Sequence, residues 1–394
     1  MAQLEIQKYI AKFPDILTAN LHLRNKLGLK IKKDRLLLTT HQEETVYIYN
    51  YHLINSPKDH PIVKEARALI LDEKANVVSF SFQRFFNYGE PEAADIDWGS
   101  SVAETKHDGT LIVIYNHRGK WFIQTRQSAM ADGPVGVSGL LTYRQAVTAV
   151  LDSKNPGDPF KGMNDCCCYA FEFVSPYNRI VTPYDETELI LLSIFDKHSL
   201  MEYDGWLVEE VATKFEFKYA NSFFVEKAEY VLEKLETIKD LDEGFVVVDE
   251  NRNRIKMKNQ RYLATARVVN AGNETSPKNL AKLVLLDKAN KVMEHFPEFK
   301  NKINFFKRII DDICEEAEAL WYERKDLPSK KLFALSIEEC PLSSILFSLW
   351  EGEISSVKEG VLKLKPEALV NFARQRRPYE FKDLFITSNK SYSY

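Results

Sequence analysis

The tetrad Lys106-His107-Asp108-Gly109 follows the strand pattern Val102–Thr105 and precedes a second strand pattern, Leu111–Tyr115. A lysine at such a strand end can attack the α-phosphorus of a nucleotide and form a phosphoramide. It must first lose its proton near neutral pH, and burial and neighbouring cations both favour that. Gly109 would let the backbone come close to a nucleotide. The same four residues also fit a hairpin turn carrying a solvated lysine.

Four other segments carry charge in places that need a reason. In Tyr169-Ala-Phe-Glu172-Phe-Val, strand alternation puts Ala170, Glu172 and Val174 on one face and Phe171 and Phe173 on the other. A carboxylate in so apolar a run is costly unless it is paired or used. It reads as an internal salt bridge, or as a contact to a ribose hydroxyl or a metal. Asp242-Glu243-Gly244 opens the apolar strand Phe245–Val248; it is a solvated turn, or a holder of a divalent cation at a cleft. In Arg254-Ile-Lys256-Met-Lys258 the three cations share one face while Ile255 and Met257 turn to the core. Such a face suits a polyphosphate and would lower the pKa of Lys106, or it is the basic face of an edge strand. Upstream, Gln83-Arg84-Phe85-Phe86-Asn87-Tyr88 combines a cation, aromatics and an amide; it packs a purine, meets phosphate, or is core.

The elements that must position these residues are mostly short strands. Strand patterns run from about Leu36 to Lys258: Val46–Tyr51, Ala68–Leu71, Val77–Phe82, Leu111–Tyr115, Trp121–Thr125, Tyr169–Val174, Leu189–Phe195 and Phe245–Val248. Tight turn signals between them predict mainly antiparallel sheets. Helices are predicted over the first 35 or so residues and near Tyr143–Leu151 and Lys227–Leu235. Beyond about Asn259, Pro277–Phe296, Lys300–Arg324, Lys330–Glu339, Leu342–Trp350 and Pro366–Arg374 read as amphipathic helices. The expected fold class is α+β: residues 1–268 as antiparallel sheets with flanking helices, then an all-helical domain over residues 269–394. The boundary is expected near Asn270–Ser276.

Bulk properties narrow the function classes. The 394 residues are 45% hydrophobic and 28% charged, with a net charge of −4, so any nucleic-acid site must be a local basic surface. Cys166, Cys167, Cys168, Cys314 and Cys340 are an odd number with three in a row, which argues against a disulfide framework, and they include no C-x-x-C pair, which argues against a structural zinc. The N-terminus has no apolar signal core and no run reaches the length of a membrane span, so the expectation is a cytoplasmic protein without a membrane partner.

Taken in order and spacing, these segments resemble the covalent nucleotidyltransferases, and within them the RNA ligase 1 family typified by the bacteriophage T4 enzyme. The resemblance is carried by Ala66-Arg67-Ala-Leu-Ile-Leu, Arg84-Phe-Phe-Asn, Lys106-His-Asp-Gly-Thr-Leu, Phe171-Glu-Phe-Val-Ser-Pro-Tyr-Asn-Arg-Ile-Val, Glu243-Gly-Phe-Val-Val, and Lys256-Met-Lys258 followed by Tyr262. It covers about Tyr47 to Tyr262 and continues more weakly to Ile345-Leu-Phe-Ser-Leu-Trp-Glu-Gly.

The resemblance implies that Lys106 carries AMP and that Asp108 supports the lysine and metal-bound waters. It implies that Glu172 binds the ribose, directly or through a metal. Glu243 would hold a catalytic Mg2+ (Mn2+ could replace it), Lys256 and Lys258 would grip the α-phosphate and triphosphate, and Arg67, Arg84 and Arg126 would surround the triphosphate. Gly109 and Tyr262 complete the nucleotide site. Arg84 and Arg126 stand where the T4 enzyme is expected to have lysine. ATP would be the AMP donor and single-stranded or nicked RNA, including tRNA, the partner; no obligate protein partner is implied. The helical domain would be an RNA-specificity module, with Lys300, Lys302, Lys307, Arg308, Arg374, Arg376 and Arg377 as its cations. A capping-type guanylyltransferase shares the lysine and the strand carboxylates but usually carries an OB-fold after the last lysines, where this chain is helical. A non-catalytic RNA-binding scaffold predicts loss of Lys106 or its acidic partners, and none is lost.

Overall fold

The computed structural model describes residues 2–136, 139–269, 277–287 and 289–385. The chain forms two compact units, Met1–Ala264 and Thr265–Tyr394. The stretch 270–276, where the sequence places a boundary, lies outside the described residues.

The first unit is α+β, as its strand and turn patterns predict. In chain order its strands are β1 Lys30–Leu37, β2 Glu43–Asn50, β3 Arg67–Asp72, β4 Val77–Ser79, β5 Phe86–Asn87, β6 Val102–Lys106, β7 Thr110–His117, β8 Lys120–Gln124, β9 Cys167–Val174, β10 Glu188–Asp196, β11 Lys218–Tyr219, β12 Ser222–Phe224, β13 Gly244–Val248 and β14 Arg254–Lys258. They form three sheets, ordered β1-β2-β3-β4, β11-β10-β9-β7-β8 and β12-β6-β13-β14-β5. All pairings are antiparallel except β10 with β11 and β14 with β5.

Three clusters of buried side chains hold the sheets. The first sheet and the N-terminal helices Glu5–Ile10 and Ile16–Leu27 share a core with Val113, Tyr115, Cys168, Ala170 and Phe195 of the second sheet. The opposite face of that sheet, with Phe171 and Phe173, packs on helices Tyr143–Lys154 and Gly205–Lys214. The third sheet buries Phe245, Val247, Ile255 and Met257 against helix Ala228–Thr237. The period-two pattern thus assigns the faces of β9 and β14 correctly.

Several sequence expectations need correction. The first 35 residues are not wholly helical: Lys30–Leu37 is β1. This strand buries only Ile31 and Leu36, so it shows no alternation, and its place is set by pairing with the well-buried β2. The helix Gly205–Lys214 and the two-residue strands carry too short or irregular a pattern to be read alone.

In the second unit, Lys300–Arg324 is the long helix, burying Ile303, Phe305, Phe306, Ile309, Ile310, Ile313 and Ala317. The single helix expected over Pro277–Phe296 is instead two, Pro277–Leu285 and Ala289–His295, because Asp287 takes a left-handed backbone (φ 53°) that ends the first. Two further helices, Val357–Leu362 and Pro378–Phe385, lie where the sequence pattern predicts none. Three of the seven cations read from the sequence, Arg308, Arg376 and Arg377, are paired with carboxylates within this unit. Arg377 pairs with Asp312, Arg376 with Glu316 at 2.5 Å, and Arg308 with Glu380. No helix among the described residues is long and apolar enough to cross a membrane.

Candidate active site

Register alone brings the key charges together. Gly244 on β13 lies opposite Lys106 on β6 and opposite Lys258 on β14. Glu243, one residue earlier, therefore sits between two lysines: Oε2 accepts from Lys106 Nζ at 2.7 Å and Oε1 from Lys258 Nζ at 2.6 Å. Gly244 makes the approach possible. Its φ is +128°, and an added Cβ would stand 2.3 Å from the Met257 carbonyl oxygen. Glu243 is 5% exposed, and its carboxyl is held below the usual range: burial alone would raise it, but Lys106 and Lys258 outweigh burial.

A cavity of about 170 Å³ opens beside these residues, lined by Arg67, Lys106, Glu172, Lys256 and Lys258 together with Phe82, Phe85, Glu104, His107, Leu111 and Val246. Glu172 reaches it from β9, and its Oε1 accepts the Gly109 N–H at 3.0 Å. Burial, opposed by Lys106, pushes the Glu172 carboxyl up to about 7. Gly109 is required by this packing, since a Cβ there would lie 2.4 Å from the Phe173 carbonyl oxygen.

The lysines differ from expectation. Burial lowers Lys106, but Glu243, Glu172 and Asp108 together hold its ammonium above its ordinary pKa. The expected depression falls on Lys256 instead. Burial, then Arg67, Lys106 and Lys258, bring Lys256 down to about 7. Its Nζ donates to the Phe85 carbonyl oxygen at 2.9 Å, so it has a neutral partner where Lys106 has an anion. Lys106 therefore needs a ligand-driven change in its surroundings before it can act as a nucleophile.

Asp108 does not touch Lys106. It is 4% exposed; Oδ2 accepts from the Val181 and Thr182 amides at 2.7 and 2.8 Å, and Oδ1 accepts from Tyr262 Oη at 2.7 Å. It ties the loop after the tetrad to the 181–182 segment, and Tyr262 does not line the cavity. Arg67 and Arg84 each bury an Nη1 that has no hydrogen-bond acceptor. Arg84 lies over Tyr51 (4.1 Å) and Phe86 (5.0 Å), and Arg126 also lies over Tyr51 (4.4 Å). Arg254, read as part of a phosphate-binding face, is committed to a buried ion pair with Glu202.

Among the described residues no three metal-ligating side chains converge. Glu172 Oε2 is uncommitted, whereas both Glu243 oxygens hold lysines. This donor set suits a hard cation shared with phosphate oxygens rather than an all-protein cage.

A family model described as RNA ligase, of the T4 type, matches residues 65–262, half of the chain. The chain belongs to this RNA ligase family. A protein of Autographa californica nuclear polyhedrosis virus named as a bifunctional polynucleotide kinase/RNA ligase is 30% identical over 300 residues, 72% of this chain but 41% of that protein. This family member thus spans well under half of the viral relative. An RNA ligase of Rhodothermus phage RM378 is 24% identical over 402 residues, covering 82% of this chain and 89% of the phage protein. A solved archaeal ATP-dependent RNA ligase superposes with a TM-score of 0.46 at 14% identity, over 72% of this chain and 68% of the other.

Three cavity residues of this family member escape the reading of the sequence. Glu104 has a usable signal: alternation in Val102–Lys106 buries Ala103 and puts Glu104 on the same face as Lys106. His107 has one too, as the second residue of the tetrad; burial and Lys106 push its imidazole down to about 4, and its buried Nε2 has no partner. Phe82, at the end of a strand pattern, has none.

Proposed function

We propose that this chain is an ATP-dependent RNA ligase that joins 5′-phosphate and 3′-hydroxyl RNA ends through AMP carried on Lys106. The observation that carries this reading is Lys106 held by a buried carboxylate at the mouth of a cavity lined by Arg67, Lys256 and Lys258. A site of cations and carboxylates suits phosphoryl transfer, in which positioning and charge neutralisation do most of the work.

In the first step Lys106 Nζ attacks the α-phosphorus of ATP and pyrophosphate leaves. Glu243 orients the amine. Lys256 and Lys258 meet the α-phosphate, while Arg67, Arg84 and Arg126 supply the charge for the departing phosphates. Glu172 holds the ribose, and Asp108 with Tyr262 fixes the loop that carries Gly109. Mg2+ would be held by Glu172 and the phosphates, with Glu243 joining as it releases a lysine; it would neutralise developing charge on the phosphate oxygens. AMP then passes to an RNA 5′-phosphate, and a 3′-hydroxyl displaces it. Residues 1–268 would perform the chemistry and the helical unit would select the RNA, in a cytoplasmic setting; repair of nicked tRNA is the role that fits.

The test is incubation with Mg2+ and α-labelled ATP, followed by a chase with 5′-phosphorylated single-stranded RNA. The native chain is expected to take label and hand it to RNA, and Lys106→Ala to take none. Label from GTP instead of ATP would replace this reading with capping chemistry.

A further inference from the structure

Beside the nucleotide cavity lies a larger one, of about 510 Å³, and the two share Phe82, Phe85 and Arg254. Its walls include Phe80, Phe86 and Phe195. Set among these rings are three buried polar atoms with no hydrogen-bond partner: Ser81 Oγ, Arg84 Nη1 and Glu92 Oε2. Ser81 and Arg84 are only 7% and 9% exposed. Glu92 Oε2 is ion-paired with Lys58 Nζ at 3.8 Å, a separation too long for a hydrogen bond, so its hydrogen-bonding capacity is still open. Buried polar atoms left unpaired are costly, and a cavity holding a donor, a hydroxyl and a carboxylate oxygen between aromatic walls is matched by a nucleoside, which has sugar hydroxyls and a flat base.

We infer that this cavity receives the 5′-terminal nucleotide of the RNA, whose ribose hydroxyl donates to Glu92 and accepts from Ser81 while its base packs against the phenylalanines. The inference rests on the ligase reading, and in-line geometry connects the two. In the first step pyrophosphate leaves opposite Lys106. In the second step Lys106 is itself the leaving group, so an oxygen of the RNA 5′-phosphate must attack from the apex that pyrophosphate vacated. The new P–O bond forms as the P–N bond breaks, and the electron pair and a proton go to Lys106 Nζ. Arg67 lines the nucleotide cavity and Arg84 the larger one. A 5′-phosphate held by these two guanidiniums therefore carries its nucleoside into the larger cavity. The 2′-hydroxyl, both donor and acceptor, is what separates RNA from DNA there.

The experiment measures AMP transfer from the pre-adenylated full-length protein to two 5′-phosphorylated RNA oligomers, identical except that one has a 2′-deoxy sugar at its 5′-terminal nucleotide. The native protein is expected to adenylate the all-ribose oligomer about tenfold faster, the weight of one hydrogen bond to a charged group. Ser81→Ala and Glu92→Gln should each shrink that ratio while label uptake from ATP stays unchanged. Equal rates for the two oligomers with native protein, or a preference that survives both substitutions, would overturn the inference. A variant that fails to take label has lost its fold, and the native comparison then decides alone. Absence of label on the native protein would instead defeat the ligase reading, so the two failures are distinguishable.

Discussion

At the residue scale the site is a balance of buried charge, and Glu172 shows its sign most clearly. Its carboxyl is pushed up to about 7 by burial, against an ordinary value of 4.5. Because the folded value lies above the unfolded one, the folded state favours the protonated form. The stabilisation is complete below the unfolded value and is lost as pH rises through the folded one. Glutamine imitates the protonated carboxyl and keeps an oxygen for the Gly109 amide. We therefore expect Glu172→Gln to melt with the native protein near pH 5 and above it at pH 8, by the equivalent of up to about 3 kcal/mol. Adenylation should fall in the same variant if Glu172 makes the proposed ribose or metal contact. Thermal melts across that pH range check the point, and a difference independent of pH would show that the carboxyl is not under burial stress.

At the scale of elements, the site depends on the register of β6, β13 and β14. Gly244 is its pivot: it needs φ of +128°, a region closed to other residues, and its missing Cβ makes room for the Met257 carbonyl. Gly119 offers the contrast, with φ of +79° in a hairpin and nothing within 4 Å of an added Cβ. Gly244→Ala should cost several kcal/mol and abolish label uptake from ATP by displacing Glu243, whereas Gly119→Ala should cost about 1 kcal/mol and keep it. Denaturant unfolding and labelling together check both variants; retained labelling in Gly244→Ala would mean that β13 does not set the carboxylate. The same strands show what a sequence discloses. Alternation assigns Lys256 and Lys258 to one face and Ile255 and Met257 to the core, because period two is a local property. The pairing of Glu243 with Lys106 spans 137 residues and follows from register, which no local pattern encodes. For that reason Lys106 can be singled out from sequence as a candidate nucleophile, but not its ammonium-favouring surroundings, and Arg254 groups with the phosphate binders because its partner Glu202 lies on a distant segment.

At the scale of the whole molecule, each unit has its own buried core, and the division of labour between them can be tested by cutting the chain. The cut must respect the helix Gln260–Val269. Tyr262 on that helix donates to Asp108, and Arg261 donates to the carbonyl oxygens of Leu235, Glu236 and Ile238. A fragment ending at 269 keeps these ties and should take label from ATP much as the full chain does. A fragment ending at 259 loses them and should not. The longer fragment should nonetheless seal RNA severalfold more slowly if the helical unit selects the substrate. Three of that unit's seven named cations contribute less to that selectivity than their charge suggests, because Arg308, Arg376 and Arg377 are already paired with Glu380, Glu316 and Asp312. Each phosphate that a truncated protein no longer neutralises would flatten the dependence of RNA binding on salt by about one in slope. The fragment ending at 269 is therefore expected to bind RNA more weakly than the full chain with nearly the same salt slope. A marked flattening would mean that the paired arginines exchange their carboxylates for phosphates when RNA arrives.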